Sequence, residues 1–225
     1  MSHGKQFTLY SHYGGPNGWK VAHVLDELKL TYETVYLKFD KQEQKGPEFT
    51  KLNPNGRIPA LVDHHNNDFV IWESDAIILY VADKYDKEKR ISAANEAEKY
   101  QIIQWLFFQA SGQGPYYGQF FWFFKYHPEK FPSAIDRYKD EILRIFGVLE
   151  NVLSKQQWLV GNKMTIADLS FVVWNFAAVG AIKDYKGEFD LEKEFPRMAA
   201  WHAKLEALPS VKKAIDARTA LVKQQ

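Results

Sequence analysis

The chain passes through Asn53-Pro54-Asn55-Gly56-Arg57-Ile58-Pro59-Ala60-Leu61-Val62, then Asp63-His64-His65-Asn66-Asn67-Asp68, then Phe69-Val70-Ile71-Trp72. Ile58 to Val62 and Phe69 to Trp72 are short apolar runs on either side of a polar turn, the signature of a β-hairpin. Upstream, Pro47 to Leu52 carries a short helical pattern after the polar stretch Lys38 to Gly46. Thr31 to Leu37 is rich in β-formers and reads as a strand. Before it, Trp19 to Leu30 spaces Val21, Val24, Leu25 and Leu28 as an amphipathic helix does. Phe7 to Tyr10 is a first strand, followed by the loop Ser11 to Gly18. Downstream of the hairpin, Glu73 to Tyr85 reads as a helix. The order β-α-β-α-β-β-α, within roughly 85 residues, predicts a small α/β sheet with helices on its faces.

Beyond Asp86 the pattern changes. Residues 86–96 are mostly charged or small and read as a linker. Helical spacing then fills about 95–124, 132–155, 165–180, 196–208 and 211–223, with no strand-like alternation. The expected organisation is an α/β domain at 1–87, a linker at 88–94 and an all-α domain at 95–225.

Composition narrows the function classes. The 225 residues are 46% hydrophobic and 25% charged, as in ordinary globular proteins. A net charge of +1 with no long basic run argues against nucleic acid as a partner. Cysteine is absent, which excludes disulfides, thiolate metal sites, Cys nucleophiles and a CxxC redox pair. MSHGKQFTLY has no basic segment followed by an apolar one, so no signal peptide is expected. With no run of about 18 apolar residues, no membrane span is expected either. A cytosolic location follows as the expectation.

The segments Asn53-Pro54-Asn55-Gly56-Arg57-Ile58-Pro59-Ala60-Leu61, Trp72-Glu73-Ser74-Asp75-Ala76-Ile77 and Gly161-Asn162-Lys163-Met164-Thr165-Ile166-Ala167-Asp168 together resemble the soluble glutathione transferase family, in its order and spacing. Gly15-Pro16-Asn17-Gly18-Trp19-Lys20-Val21 and Trp105 to Gly112 resemble one branch of it. That branch holds the bacterial Nu-class enzymes and the fungal relatives of the yeast nitrogen-regulation prion protein. The resemblance spans essentially the whole chain. It implies a thioredoxin-like domain followed by a helical one, with glutathione, reduced or as its disulfide, as co-substrate and no metal.

A protein without cysteine can do thiol chemistry only on a ligand's sulfur, which it must hold as the reactive thiolate. A helix N-terminus suits that task, and Asn17 lies where the first helix begins. Read from the residues alone, Asn17 is a helix cap; the resemblance adds sulfur binding through its amide, as anion stabilisation and not as a base. Where the bacterial enzymes carry a Thr before Pro-Asn, this chain has Gly15, one hydroxyl fewer.

The resemblance implies further roles. Pro59 is expected cis, with the backbone of Ile58 pairing with the peptide. Glu73 and Ser74 would take the γ-glutamyl ammonium and carboxylate; otherwise they are a first-turn acid and a cap. Gln44 would meet the glycine end, or be a solvated loop residue. Arg137 would reach glutathione across a homodimer interface, or be a surface charge. Ser111, Tyr116 and Phe120, in an aromatic stretch broken by glycines, would line a pocket for an apolar co-substrate. Thr165 and Asp168 form a structural capping pair. His64-His65 reads as a hairpin turn and not a metal site, and His12 as a loop histidine.

The expected activity is glutathione-dependent reduction of disulfides or peroxides with conjugation to electrophiles, a detoxification chemistry. The alternative is a glutathione-binding regulator without turnover. A role inside a translation-elongation complex is a third and weaker reading.

Overall fold

The computed structural model describes residues 4–223. Two compact units divide it: one takes the chain up to Ser92 and resumes at Leu208, and the other is Ala93–Ala207.

The first unit opens with β1 (Phe7–Ser11), α1 (Pro16–Glu27), β2 (Tyr32–Tyr36), α2 (Pro47–Thr50), β3 (Ala60–Asp63), β4 (Phe69–Trp72) and α3 (Ser74–Tyr85). Its sheet has the order β2-β1-β3-β4. β1 runs parallel to β2 and antiparallel to β3, with Leu9 opposite Thr34 on one side and Leu61 on the other. Each element matches its expected place to within a few residues. α1 begins earlier than its apolar spacing implied, because Pro16 at its first position has the fixed φ that a helix start accepts. β3 begins only at Ala60, after a cis Ile58–Pro59 bond.

α1 is not the one-sided amphipathic helix its spacing suggested. Gly18 to Leu25 are all buried, since the helix packs on β1, α3 and α10 together. Among these residues is His23, fully buried with neither ring nitrogen hydrogen-bonded. Burial lowers its pKa from 6.5 to about 3, so the ring is neutral in the folded protein. In the unfolded chain it takes a proton as the pH falls through 6.5, and that proton favours unfolding. Between about pH 8 and pH 5 this group alone should remove about 2 kcal/mol of stability. The His23→Leu variant should lose less stability over that range, as read by urea unfolding at both pH values. An equal loss would show that His23 is not the responsible group.

The second unit is helical: α4 (Glu96–Phe108), α5 (Gly114–Phe121), α6 (Pro132–Leu153), α7 (Ile166–Lys186), α8 (Leu191–Glu194) and α9 (Pro196–Glu206). The single helix expected at 95–124 is interrupted by π-helical segments at Gln109–Gln113 and Trp122–Tyr126. The first lies just before Pro115, which has no N–H to continue the regular ladder. α7 runs past its expected end to Gly187, whose φ of 75° stops it. Part of α7, Ile166–Tyr185, is long and apolar enough to cross a membrane, with a mean hydropathy of 1.4, but 72% of that window is buried inside the protein. It is the central core helix of this unit.

The last helix, α10 (Pro209–Lys223), corrects the expected boundary at 95–225. It packs on α1, with Val211 and Ala214 buried, and Ser210 Oγ and Lys213 Nζ bond Glu27 and Asp26 at 2.7 Å each. Part of the expected linker also belongs to the first unit. The backbone N–H groups of Arg90, Ile91 and Ser92 all donate to the Asp86 carboxylate at 2.8 Å.

Candidate functional site

The loop between β1 and α1 is folded by its own residues. Gly15 N–H donates to the His12 carbonyl at 3.0 Å, and Gly14 N–H donates to His12 Nδ1 at 3.1 Å. An Nδ1 that accepts cannot carry a proton, so the ring is neutral. Burial lowers the His12 pKa, against the pull of Asp40. Its ring stacks on Phe39 at 4.0 Å and leans on Tyr13 at 4.0 Å. Trp19 Nε1 donates to the Tyr13 carbonyl. His12 thus fastens this loop.

Two glycines let the helix start come close. A Cβ on Gly18 would stand 1.8 Å from Ser11 Oγ, so only glycine lets α1 begin against the end of β1. A Cβ on Gly15 would stand 2.8 Å from Ile58 Cδ1. The start of α1 therefore lies against the residue preceding Pro59. Gly15 is the N-cap, with no side-chain cap bond, and Pro16 is the first helical residue. Asn17 is then the second residue of the helix, half-buried. That corrects the cap reading: Asn17 lies in the first turn of α1 and is not its cap.

Ile58 is half-buried beside the cluster of Leu37, Phe49 and Ala60. The turn before it is held by Asn53, buried, whose Nδ2 donates to the Arg57 carbonyl and whose Oδ1 accepts from Asn55 N–H. Gly56, with φ of 62°, brings this turn to the backbone of Gln44: a Cβ there would lie 2.9 Å from the Gln44 carbonyl oxygen. Gln44 is not a solvated loop residue. It is 9% exposed, and its Oε1 is buried without a hydrogen bond.

Glu73 stands at the N-cap position of α3 with φ of 69°, a left-handed conformation uncommon for a residue with a Cβ and concentrated at functional sites. Its side chain is exposed. Ser74 is the first helical residue and not the cap, a second correction of position. Its Oγ accepts from Lys20 Nζ at 3.0 Å, and the same ammonium pairs with Asp75 Oδ1 at 3.0 Å. Sequence reasoning passed over Lys20. The available signal was its spacing: Lys20 is four residues before Val24, which puts a charge in line with the apolar stripe.

In the second unit, Arg137 has an exposed side chain and donates to Glu141 Oε1 at 2.6 Å. Glu141 also accepts from Arg144 Nε at 2.7 Å, and these donors lower its pKa. Ser111 is exposed, in the first π segment, and Tyr116 is half-buried against Tyr138. Phe120 does not line an open pocket. It is 0% exposed, stacked on Phe124 and edge-on to Tyr185, because its face of α5 turns inward. Thr165 and Asp168 form the capping box at the start of α7. His64 is engaged by Thr8 and Asp68 within the hairpin. Among the described residues, no group of three His, Asp or Glu side chains is placed to hold a metal ion.

In the first unit, one backbone turn and two helix starts present polar backbone groups. The backbone of Ile58 offers strand-like pairing, the start of α1 an anion site, and the start of α3 a second anion site with an exposed acid beside it.

Comparison with known proteins finds relatives over both units. Residues 5–83 match the glutathione S-transferase N-terminal domain, and residues 115–209 match the C-terminal domain. Glutathione S-transferase 1 of Schizosaccharomyces pombe is 54% identical over 95% of this chain and 97% of its own length. Protein URE2 of Candida albicans is 40% identical, over 93% of this chain and 69% of its own. The crystal structure of glutathione transferase URE2P8 from Phanerochaete chrysosporium with oxidized glutathione superposes with a TM-score of 0.95, at 57% identity and covering 100% of both chains.

Proposed function

The chain belongs to the glutathione S-transferase family, and on that premise we propose that it binds glutathione and uses the ligand's thiolate on a second substrate. The observation that carries this is the approach of Gly15 to Ile58. It sets the residue before cis Pro59 and the first turn of α1 at one place, where a peptide's backbone and its sulfur would be met together. Asn17 and the first-turn N–H groups hold the sulfur. Ile58 pairs with the cysteinyl backbone, Ser74 takes the γ-glutamyl carboxylate and Glu73 its ammonium. Gln44, whose carboxamide oxygen lacks a bonded partner, takes the glycine end.

With no cysteine of its own, the protein draws every reacting sulfur from its ligands. For a disulfide substrate, bound thiolate attacks one sulfur and expels the other as thiolate. A second glutathione thiolate then attacks the glutathionyl sulfur of the mixed disulfide, breaking its S–S bond, expelling the remaining substrate thiolate and forming oxidized glutathione. The ligand of the URE2P8 structure supports a site that accommodates that product. The same thiolate attacks a peroxide, breaking the O–O bond to give an alcohol and a glutathione sulfenic acid that a second glutathione converts to oxidized glutathione and water; with an apolar electrophile it displaces the leaving group. The working form is a cytosolic homodimer, in which Arg137 leaves Glu141 to reach glutathione across the interface. A regulator without turnover is disfavoured, because similarity to the named transferase, at 54%, exceeds that to URE2, at 40%. Initial rates with a halo-aromatic electrophile, a small disulfide and an organic peroxide test the reading, beside light scattering for the dimer. Absence of turnover with all three substrates would overturn the enzyme assignment.

A further inference from the structure

α1 buries an ammonium group. Lys20 is 1% exposed, and its Nζ lies 3.0 Å from both Ser74 Oγ and Asp75 Oδ1. A pair this deep adds little net stability, because desolvating two charges offsets most of their attraction. Burial lowers the Lys20 pKa and raises that of Asp75, while each partner pulls the other back toward its charged form. Packing of α1 on α3 would be served as well by two apolar residues.

The bond to Ser74 accounts for the ammonium better. An ammonium only donates, so Ser74 Oγ is the acceptor and must direct its own proton away from Lys20. A hydroxyl that accepts from a cation becomes a stronger donor through its remaining proton. Ser74 is the first residue of α3, so that proton joins the unsatisfied N–H groups of the helix start. Asp75, on the other side of Nζ, holds the ammonium in place.

Resting on the glutathione assignment, we infer that Lys20 is a positioning residue for the α-carboxylate of the γ-glutamyl group. It holds the Ser74 hydroxyl as a donor toward that carboxylate and sets a positive charge behind it. The chain Asp75–Lys20–Ser74–carboxylate alternates acceptor and donor throughout. A ligand lacking this carboxylate gains nothing from it.

The test replaces Lys20 in two ways. Lys20→Met removes the charge but leaves Asp75 buried and unpaired. The double variant Lys20→Met/Asp75→Leu removes both charges together and keeps the fold independent of the pair. Calorimetric titration and initial rates are run with glutathione and with an analogue whose γ-glutamyl α-carboxylate is replaced by hydrogen. The unmodified protein should prefer glutathione to the analogue. In the double variant, affinity for glutathione should fall about 10- to 100-fold, as for loss of a charge-assisted bond. KM should rise in step, kcat at saturation should stay within about twofold, and affinity for the analogue should not change. Equal losses for both ligands, or no loss for glutathione, would overturn the role of Lys20. Failure of the unmodified protein to bind glutathione at all would overturn the glutathione assignment instead.

Discussion

Replacing Asp168 by Ala is expected to destabilise the protein by about 3–5 kcal/mol, the range for stranding the partners of a buried charge. Asp168 is 0% exposed and gathers four donors. Oδ2 accepts from Thr165 N–H at 2.8 Å and from Thr165 Oγ1 at 3.2 Å. Oδ1 accepts from Leu159 N–H and from Trp201 Nε1, both at 2.9 Å. Burial pushes the carboxyl pKa up, and these four donors oppose it. Alanine would leave all four buried without an acceptor, and would untie the loop before α7 from both α7 and α9. Thr165→Ala removes a hydroxyl with its two 3.2 Å bonds, from Ala167 N–H and to Asp168 Oδ2, but leaves the carboxylate its three other donors, so its loss should be about 1 kcal/mol. Asp168→Asn should fall between them. Its oxygen can still serve Leu159 and Trp201, but its NH₂ would face the Thr165 N–H, donor against donor. Urea unfolding of the three variants checks the order. A loss for Asp168→Ala no larger than for Thr165→Ala would mean that the network is not what holds this corner.

The elements that follow from local chemistry are the ones read correctly from the chain. The hairpin of Ile58 to Trp72 announces itself by two apolar runs about a polar turn, and the Thr165–Asp168 box by a three-residue spacing. Both depend on neighbours in sequence. The cis Pro59 carries no local signal, since about 5–6% of X–Pro bonds are cis; family resemblance supplied it. What remained hidden depends on contacts made far along the chain. Phe120 looks like any ring in its aromatic stretch until Tyr185 covers it. α10 looks like one more helix of an all-α domain until Val211 and Ala214 meet α1. Lys20 looks like a solvated charge until Ser74 and Asp75, more than fifty residues later, arrive beside it. A helix buried on every side hides its functional face, because the apolar stripe no longer says which side is which.

Replacing Asn17 by Ala should lower kcat/KM about 10- to 100-fold and raise the pKa of the bound thiol by about one to two. A hydrogen bond to a charged acceptor contributes about 1.5–3 kcal/mol, and a pKa change of one corresponds to about 1.36 kcal/mol. Near neutral pH a free thiol, with a pKa of about 8.5, is mostly protonated. A site that works there must hold the thiolate by donors alone, because an amide cannot take the proton. Pro16 has no N–H and the Gly15 N–H is turned to His12. On the proposed reading, the Asn17 amide and the first-turn backbone face the sulfur. Loss should therefore be deep but incomplete in the Asn17→Ala variant, since the backbone donors persist. Asn17→Asp separates charge from shape. It is nearly isosteric yet anionic, so it should repel the thiolate and lose more than Asn17→Ala does. Titration of thiolate ultraviolet absorbance in the glutathione complex, beside initial rates with the halo-aromatic electrophile, reads both effects. If the Asn17→Asp and Asn17→Ala variants both matched the unmodified protein in thiol pKa, the start of α1 would not be where the sulfur is held.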